Sequence, residues 1–264
     1  MLASAGLHAF WNWLVADARD SHAVGAVALL TAAVVFAPVA VLTWDVQSGA
    51  WPYIVASALL ELAYFALLAA AYERADLSFV YPIARGTAPV LVLIVSLVAL
   101  GADLSAGEAA GVLAVAAGVL LVRGVGSGAA TGVFMALGVA GCIAAYTLVD
   151  DEGVRHAAAL SYFEAVLLIT APLYAVAVAI ARGPGALRAA ATPRSAAAGV
   201  AMFSAYALAL AALEIAEAAP VAALRETSVV MATVAAAVAG RERVPGRRLV
   251  GAMVVVLGVA LIAL

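Results

Sequence analysis

The sequence predicts an all-α polytopic membrane protein, with ten transmembrane helices arranged as two inverted five-helix repeats around a central cavity. Three observations predict it. The first is composition: hydrophobic residues make up 67% of the 264 residues and charged residues 11%, against roughly 45–50% and 25% in soluble domains. Mean hydropathy is +1.16. No soluble core hides that much apolar surface, whereas apolar helices of about 20 residues satisfy their backbone groups internally within a bilayer. The second is punctuation, since charged or Pro/Gly-rich breaks divide the chain into ten apolar segments, five in each half. The third is duplication of a unit of about 120 residues. An offset of 140 places Arg85 on Arg225, Thr87 on Thr227, Gly111 on Gly251 and Gly118 on Gly258, and an offset of 134 places His22 on His156 and Pro38 on Pro172. Five spans is an odd number, so the second copy must insert upside down relative to the first, the architecture of secondary transporters.

The segments run roughly over 2–16, 22–43, 51–72, 77–100, 106–123, 130–149, 158–181, 195–216, 219–240 and 247–264. This gives a first repeat over 1–123, a joint over 124–129 (GVGSG at Gly124 to Gly128) and a second repeat over 130–264. Short connections such as Asp17 to Ser21 and Glu73 to Asp76 make successive helices antiparallel neighbours. The first segment is short: about 15 residues rise only some 23 Å against a core of roughly 30 Å. Either this helix is thin and partly lines a wet cavity, or the start lies upstream, and the second reading is preferred. Prolines 82 and 89 interrupt the fourth segment and free backbone groups. Gly111 and Gly118 in the fifth, like Gly251 and Gly258 in the tenth, are seven apart and allow close helix packing. The acids Asp150, Asp151 and Glu152 end the sixth helix, where the macrodipole disfavours anions, and read as solvated loop charge. Arg182 to Arg194 reads as a flexible surface loop.

Polar residues inside these segments mark where chemistry sits. A mid-membrane arginine costs about 2.5–3.5 kcal/mol on the mildest scale and is kept where it meets a partner or a wet cavity. Arg85 and Arg225 both lie well inside their segments, with Tyr81 one turn before Arg85 and Thr87 after it, and with Glu226, Thr227 and Ser228 following Arg225. Glu226 is adjacent to Arg225 and points about 100° away from it on a helix, so it is not an automatic partner. Glu61, Tyr64, Leu68 and Tyr72 form one stripe of the third helix, repeated in the eighth by Tyr206, Leu210, Leu213 and Glu217. Tyr72 and Glu217, near helix ends, read as an interface belt, and Glu61 as either a cavity residue or the counter-ion of Arg85. Glu164 has Leu30 as its counterpart, so symmetry lends it no support. His8, Trp11 and Asn12 share about one turn of the first helix. The expected substrate-binding set is therefore Arg85, Arg225, Tyr81, Thr87, Glu61, Tyr64, Glu226, Thr227, Trp11, Asn12 and Tyr206.

Two stretches, AYERADLSFVYPIARGTAPVL at 71–91 and AAPVAALRETSVVM at 218–231, resemble the fourth and ninth helices of EamA-domain transporters in the drug/metabolite transporter superfamily. HAFWN at 8–12 and YTLVDDEGVR at 146–155 resemble that family's first and sixth helices. The resemblance covers essentially the whole chain in order and implies ten helices around a central cavity, alternating access and an export role. Small multidrug exporters of the superfamily typically carry a glutamate in the first helix, and none is present here. Read with the arginines, this gives a secondary transporter of a small polar metabolite carrying an anionic group, such as an amino acid or organic acid. The alternatives are phosphorylated sugars or nucleotide derivatives, or a non-transporting membrane subunit.

No catalytic constellation, phosphate-binding glycine loop or His/Cys cluster appears, so neither enzyme nor cofactor nor metal is expected. Nucleic acid is not an expected partner; a small-molecule substrate and the lipid bilayer are. The single cysteine, Cys142, lies inside a segment and excludes a disulfide framework. The start carries no cleavable signal, as expected of an inner-membrane protein. All thirteen basic residues are arginine. Counting them by loop puts only Arg155 on one side and Arg19, Arg74, Arg123, Arg182, Arg188, Arg194, Arg241, Arg243, Arg247 and Arg248 on the other. The positive-inside rule then sets both termini outside, against the family's usual arrangement.

Overall fold

A computed structural model of the chain describes residues 2–100, 105–123, 130–213, 226–239 and 243–263. These form helices α1 (Leu2–Ala16), α2 (Ser21–Leu42), α3 (Trp51–Tyr72), α4 (Leu77–Leu100), α5 (Ala106–Arg123) and α6 (Ala130–Gly153). They continue as α7 (Ala159–Arg182), a short α8 (Pro184–Ala190), α9 (Pro193–Leu213), α10 (Ser228–Val238) and α11 (Gly246–Ala263). Among the described residues there is no strand, only an isolated antiparallel bridge between Val46 and Ala157. Six stretches among the described residues are long and apolar enough to cross a membrane: Ser21–Leu42, Ser48–Tyr72, Leu77–Val95, Ala130–Gly153, Ala159–Arg182 and Gly246–Ala263. Shorter apolar helices accompany them at Ala106–Val122 and Ser228–Val238. The chain is a multi-pass membrane protein. The joint, Glu217 and Arg225 lie outside the described residues.

Helix starts follow from the sequence. Asp20 caps α2 by accepting from the Ala23 N–H at 2.9 Å. Ser105 and Glu108 form a reciprocal capping box at α5: the Ser105 N–H donates to Glu108 Oε2 at 2.7 Å and the Glu108 N–H to Ser105 Oγ at 3.1 Å. Two expectations are corrected. The segment between Arg182 and Arg194 is not a featureless loop: Gly183, at φ +82°, turns the chain and Pro184 opens α8 over good helix formers. The sixth helix does not stop at 149 but carries its acids to Gly153, where Arg155 pairs with Asp151 at 3.4 Å and Glu152 at 3.2 Å. That pairing offsets the macrodipole penalty.

Contacts between connections show helix direction. At one end, Arg182 pairs with Glu73 at 3.0 Å and Asp20 at 3.6 Å, Arg248 pairs with Asp76 at 2.7 Å, and Arg194 pairs with Asp17. Arg247 there donates to the Leu121 and Val122 carbonyls at the close of α5. At the other end, the Gln47 N–H bonds the His156 carbonyl and the Ala158 N–H bonds the Asp45 carbonyl. Thus α1 runs toward the arginine-rich end and α6 away from it, so the halves are inverted in the fold. Packing keeps the same symmetry: α1 lies on α9 and α10 as α6 lies on α3 and α4.

Helices α5 and α11 meet backbone to backbone. A Cβ at Gly118 would lie 2.8 Å from the Gly251 carbonyl, one at Gly251 2.8 Å from the Gly118 carbonyl, and those at Gly111 and Gly258 would meet each other's carbonyls at 2.7 and 2.8 Å. These glycines are close-approach positions, as their spacing suggested. Large apolar side chains such as Val34, Leu42, Phe134, Ile180 and Leu257 face outward, a surface suited to lipid.

Candidate functional site

A cavity of about 200 Å³ opens where α1, α3, α4, α6, α7 and α9 converge. Five of the expected residues line it: Trp11, Glu61, Tyr64, Arg85 and Tyr206. His8, Tyr146, Thr147, Asp150 and Phe163 also line it. Its walls are aromatic. Tyr64 meets Tyr146 edge-on at 5.8 Å, Phe163 stacks on Tyr206 at 4.1 Å, and His8 meets Trp11 edge-on at 5.3 Å.

Arg85 enters from α4, one turn before Pro89. That proline lacks the N–H that would bond the Arg85 carbonyl within the helix. The guanidinium is buried at 5% exposure, and its Nη2 donates to Glu226 Oε1 at 2.6 Å, with Glu226 itself 6% exposed. Glu226 comes from the other half, just before α10. The partner of Arg85 is thus Glu226, not Glu61. The sequence assigned Glu226 no partner because its neighbour Arg225 lies about 100° around the helix; packing of the two halves supplies one. Arg85 Nε has no hydrogen-bond partner among the described residues, so the guanidinium keeps donor capacity beyond the ion pair.

Glu61 is 8% exposed, and its Oε2 has no hydrogen-bond partner among the described residues. Asp150 lies on the same cavity and accepts from the Tyr162 hydroxyl at 2.9 Å. It is therefore not merely solvated loop charge, although Asp151 is exposed. Asp150 was missed because the sixth helix was ended too early. The signal was present, since Tyr146 and Asp150 are four apart and share a helix face with Thr147.

Of the other expected residues, those described do not line this cavity. The Tyr81 hydroxyl is 3.1 Å from Ser228 Oγ, joining α4 to α10 behind Arg85. Asn12 is fully buried: its Nδ2 donates to the His8 carbonyl at 2.9 Å and its Oδ1 accepts from the Tyr72 hydroxyl at 2.7 Å. Tyr72, read as an interface residue, is 7% exposed and is instead an internal donor. Thr87 and Thr227 are half-buried. Glu164, which symmetry left unsupported, is fully buried in α7, and neither carboxyl oxygen has a hydrogen-bond partner among the described residues.

A protein of known crystal structure superposes at a TM-score of 0.66 with 19% identity, covering 99% of this chain and 97% of that one; at that identity the likeness concerns the fold. Comparison with curated proteins gives no match. The model of the EamA-like transporter family matches residues 1–124 and again 130–264. With both inverted halves matched and a polar cavity between apolar helices, the chain belongs to the EamA-like transporter family.

Proposed function

We propose that this protein is a secondary transporter, working in the export direction, of a small polar metabolite whose carboxylate engages Arg85. The two repeats, 1–123 and 130–264, move against each other about the joint at 124–129, and all ten predicted segments span the cell's inner membrane. The single observation carrying the reading is Arg85 at the cavity wall, buried, tied by one N–H to Glu226 and holding donors in reserve. A guanidinium fork recognises a carboxylate. A ligand carboxylate arriving there competes with or augments Glu226, so binding is coupled to the contact between halves.

The cavity, at about 200 Å³, is smaller than the roughly 300–1,000 Å³ typical of drug-sized sites. That favours amino and organic acids over nucleotide derivatives. The test is purified protein in liposomes, loaded with a metabolite library and assayed for exchange with and without a pH gradient. Exchange of carboxylate metabolites by the native protein, reduced at least tenfold in Arg85→Lys, supports the reading. A library in which no carboxylate is exchanged overturns it.

A further inference from the structure

We propose that His22 is a proton-binding site that releases the arginine-rich end: when its ring takes up a proton, Glu73 gains a counter-ion within its own half and the hold of Arg182 on it loosens. This goes beyond the transport reading, since it concerns how that end parts whatever solute the cavity takes.

His22 stands at the start of α2 with its side chain 17% exposed, so protons reach it from water. Its ring touches both halves. His22 Nδ1 lies 2.8 Å from the Tyr174 hydroxyl of α7, and that hydroxyl donates to the Phe65 carbonyl of α3 at 3.2 Å. A phenol has one hydrogen to give. With it committed to Phe65, the tyrosine oxygen accepts, so Nδ1 carries the hydrogen of the neutral ring and Nε2 is bare. Nε2 in turn lies 4.0 Å from Glu73 Oε2. Two acceptors therefore face each other, and only protonation of the ring turns that contact into a donor meeting a carboxylate.

The same carboxylate is the partner of Arg182. Arg182 Nη2 donates to both Glu73 oxygens at 3.0 Å, and its Nη1 lies 3.6 Å from Asp20. Glu73 and Asp20 belong to the first half and Arg182 to the second, so this group binds the halves together. While the ring is neutral, Arg182 bridges both acids. Once the ring is charged, the first half holds a cation of its own against Glu73, and a second positive charge stands in the field of Arg182. Both effects favour parting. The stronger bond that a charged ring makes to Tyr174 opposes them, but water takes the tyrosine's place when the end opens, so that bond is exchanged rather than lost.

The remaining charged groups near the ring are otherwise engaged or point to water. Arg74, at the end of α3, is exposed and donates to the Ala70 carbonyl. From α1 and α9, Asp17 and Arg194 pair with each other. Arg19, before α2, and Arg188, on α8, are exposed. His156, which the repeat places on His22, lies at the other end and stacks on Tyr53 with ring centroids 5.9 Å apart, so it serves as the control.

Pulsed electron paramagnetic resonance on the purified protein tests this, with nitroxides attached through Arg19→Cys in the first half and Arg188→Cys in the second, in a Cys142→Ala background. Distances are compared at about pH 8 and about pH 5.5, a window in which an imidazole titrates near 6.5 while ordinary carboxylates, near 4, stay ionised. Acidification should raise the population of the longer separation about threefold or more. His22→Gln should hold the alkaline distribution at both pH values, and His156→Gln should keep the native response. Glu73→Gln gives a second reading should His22→Gln not fold: it should show the longer separation already at the alkaline pH. No response in the native protein, a shorter separation on acidification, a response kept in His22→Gln or lost in His156→Gln, or a native distribution in Glu73→Gln each overturns the proposal.

Discussion

Arg85 and Glu226 form a buried ion pair, 2.6 Å between Nη2 and Oε1, that ties the fourth helix of one half to the segment opening α10 in the other. The repeat does not generate this pair. The counterpart of Arg85 at an offset of 140 is Arg225, and the counterpart of Glu226 is Gly86, so the acid belongs to the second half alone. Removing one member strands the other charge. Arg85→Ala and Glu226→Ala should each destabilise the solubilised protein by about 3–5 kcal/mol. The double variant should lose less than the sum of the two. Thermal melting of all four proteins measures the coupling, and additive losses would show that the pair does not act as a unit.

The Tyr72 hydroxyl should matter more than its place near a helix end suggested. Tyr72→Phe keeps the ring but leaves the fully buried Asn12 Oδ1 without its donor. A loss of about 1–3 kcal/mol is expected. A melting temperature equal to that of the native protein would show that Asn12 finds another donor.

Glycines of equal helix propensity should respond in opposite ways. At Gly118 an added methyl meets the Gly251 carbonyl at 2.8 Å, so Gly118→Ala should cost about 1–3 kcal/mol through overpacking. At Gly141 in α6 an added methyl meets nothing within 4 Å, so Gly141→Ala should be neutral or stabilising by up to about 1 kcal/mol. Melting curves of the two variants side by side check the contrast.

Orientation is open to direct measurement. Arg182, Arg194, Arg247 and Arg248 gather at one end of the fold, and the positive-inside rule puts that end in the cytoplasm. Both termini then lie outside. A C-terminal reporter active only in the cytoplasm should stay silent, and a strong signal would reverse the assignment.

Much of this fold was legible because lipid imposes a strong pattern. The predicted segments 2–16, 51–72, 77–100 and 106–123 coincide with α1, α3, α4 and α5, since charged turns leave little choice of boundary. Arg85 was legible because a buried arginine is costly enough to need a reason. Its partner was not: residues 141 apart meet only once the halves have packed, and the symmetry that exposed Arg85 pointed to Arg225 instead. Asp150 was illegible for a local reason. Charged punctuation ended the sixth segment at 149 and a dipole argument read the acids there as solvated loop charge, while pairing of the next acids with Arg155 accompanies a helix that runs on to Gly153. The stripe of α3 gave Glu61 and Tyr64 correctly as neighbours on one face, but a stripe alone does not tell an aromatic wall from an interface belt, and Tyr72 falls on the same line with a different role.

At the arginine-rich end, the three groups of ion pairs each join a residue of the first half to one of the second: Asp17 to Arg194, Asp20 and Glu73 to Arg182, and Asp76 to Arg248. Most of these side chains remain partly in contact with water, so their attraction weakens as salt shortens the screening length, about 8 Å at physiological ionic strength. None of these residues lines the cavity, so the attraction joining the halves at this end answers to the electrolyte bathing it: strongest in dilute solution, weaker as salt rises.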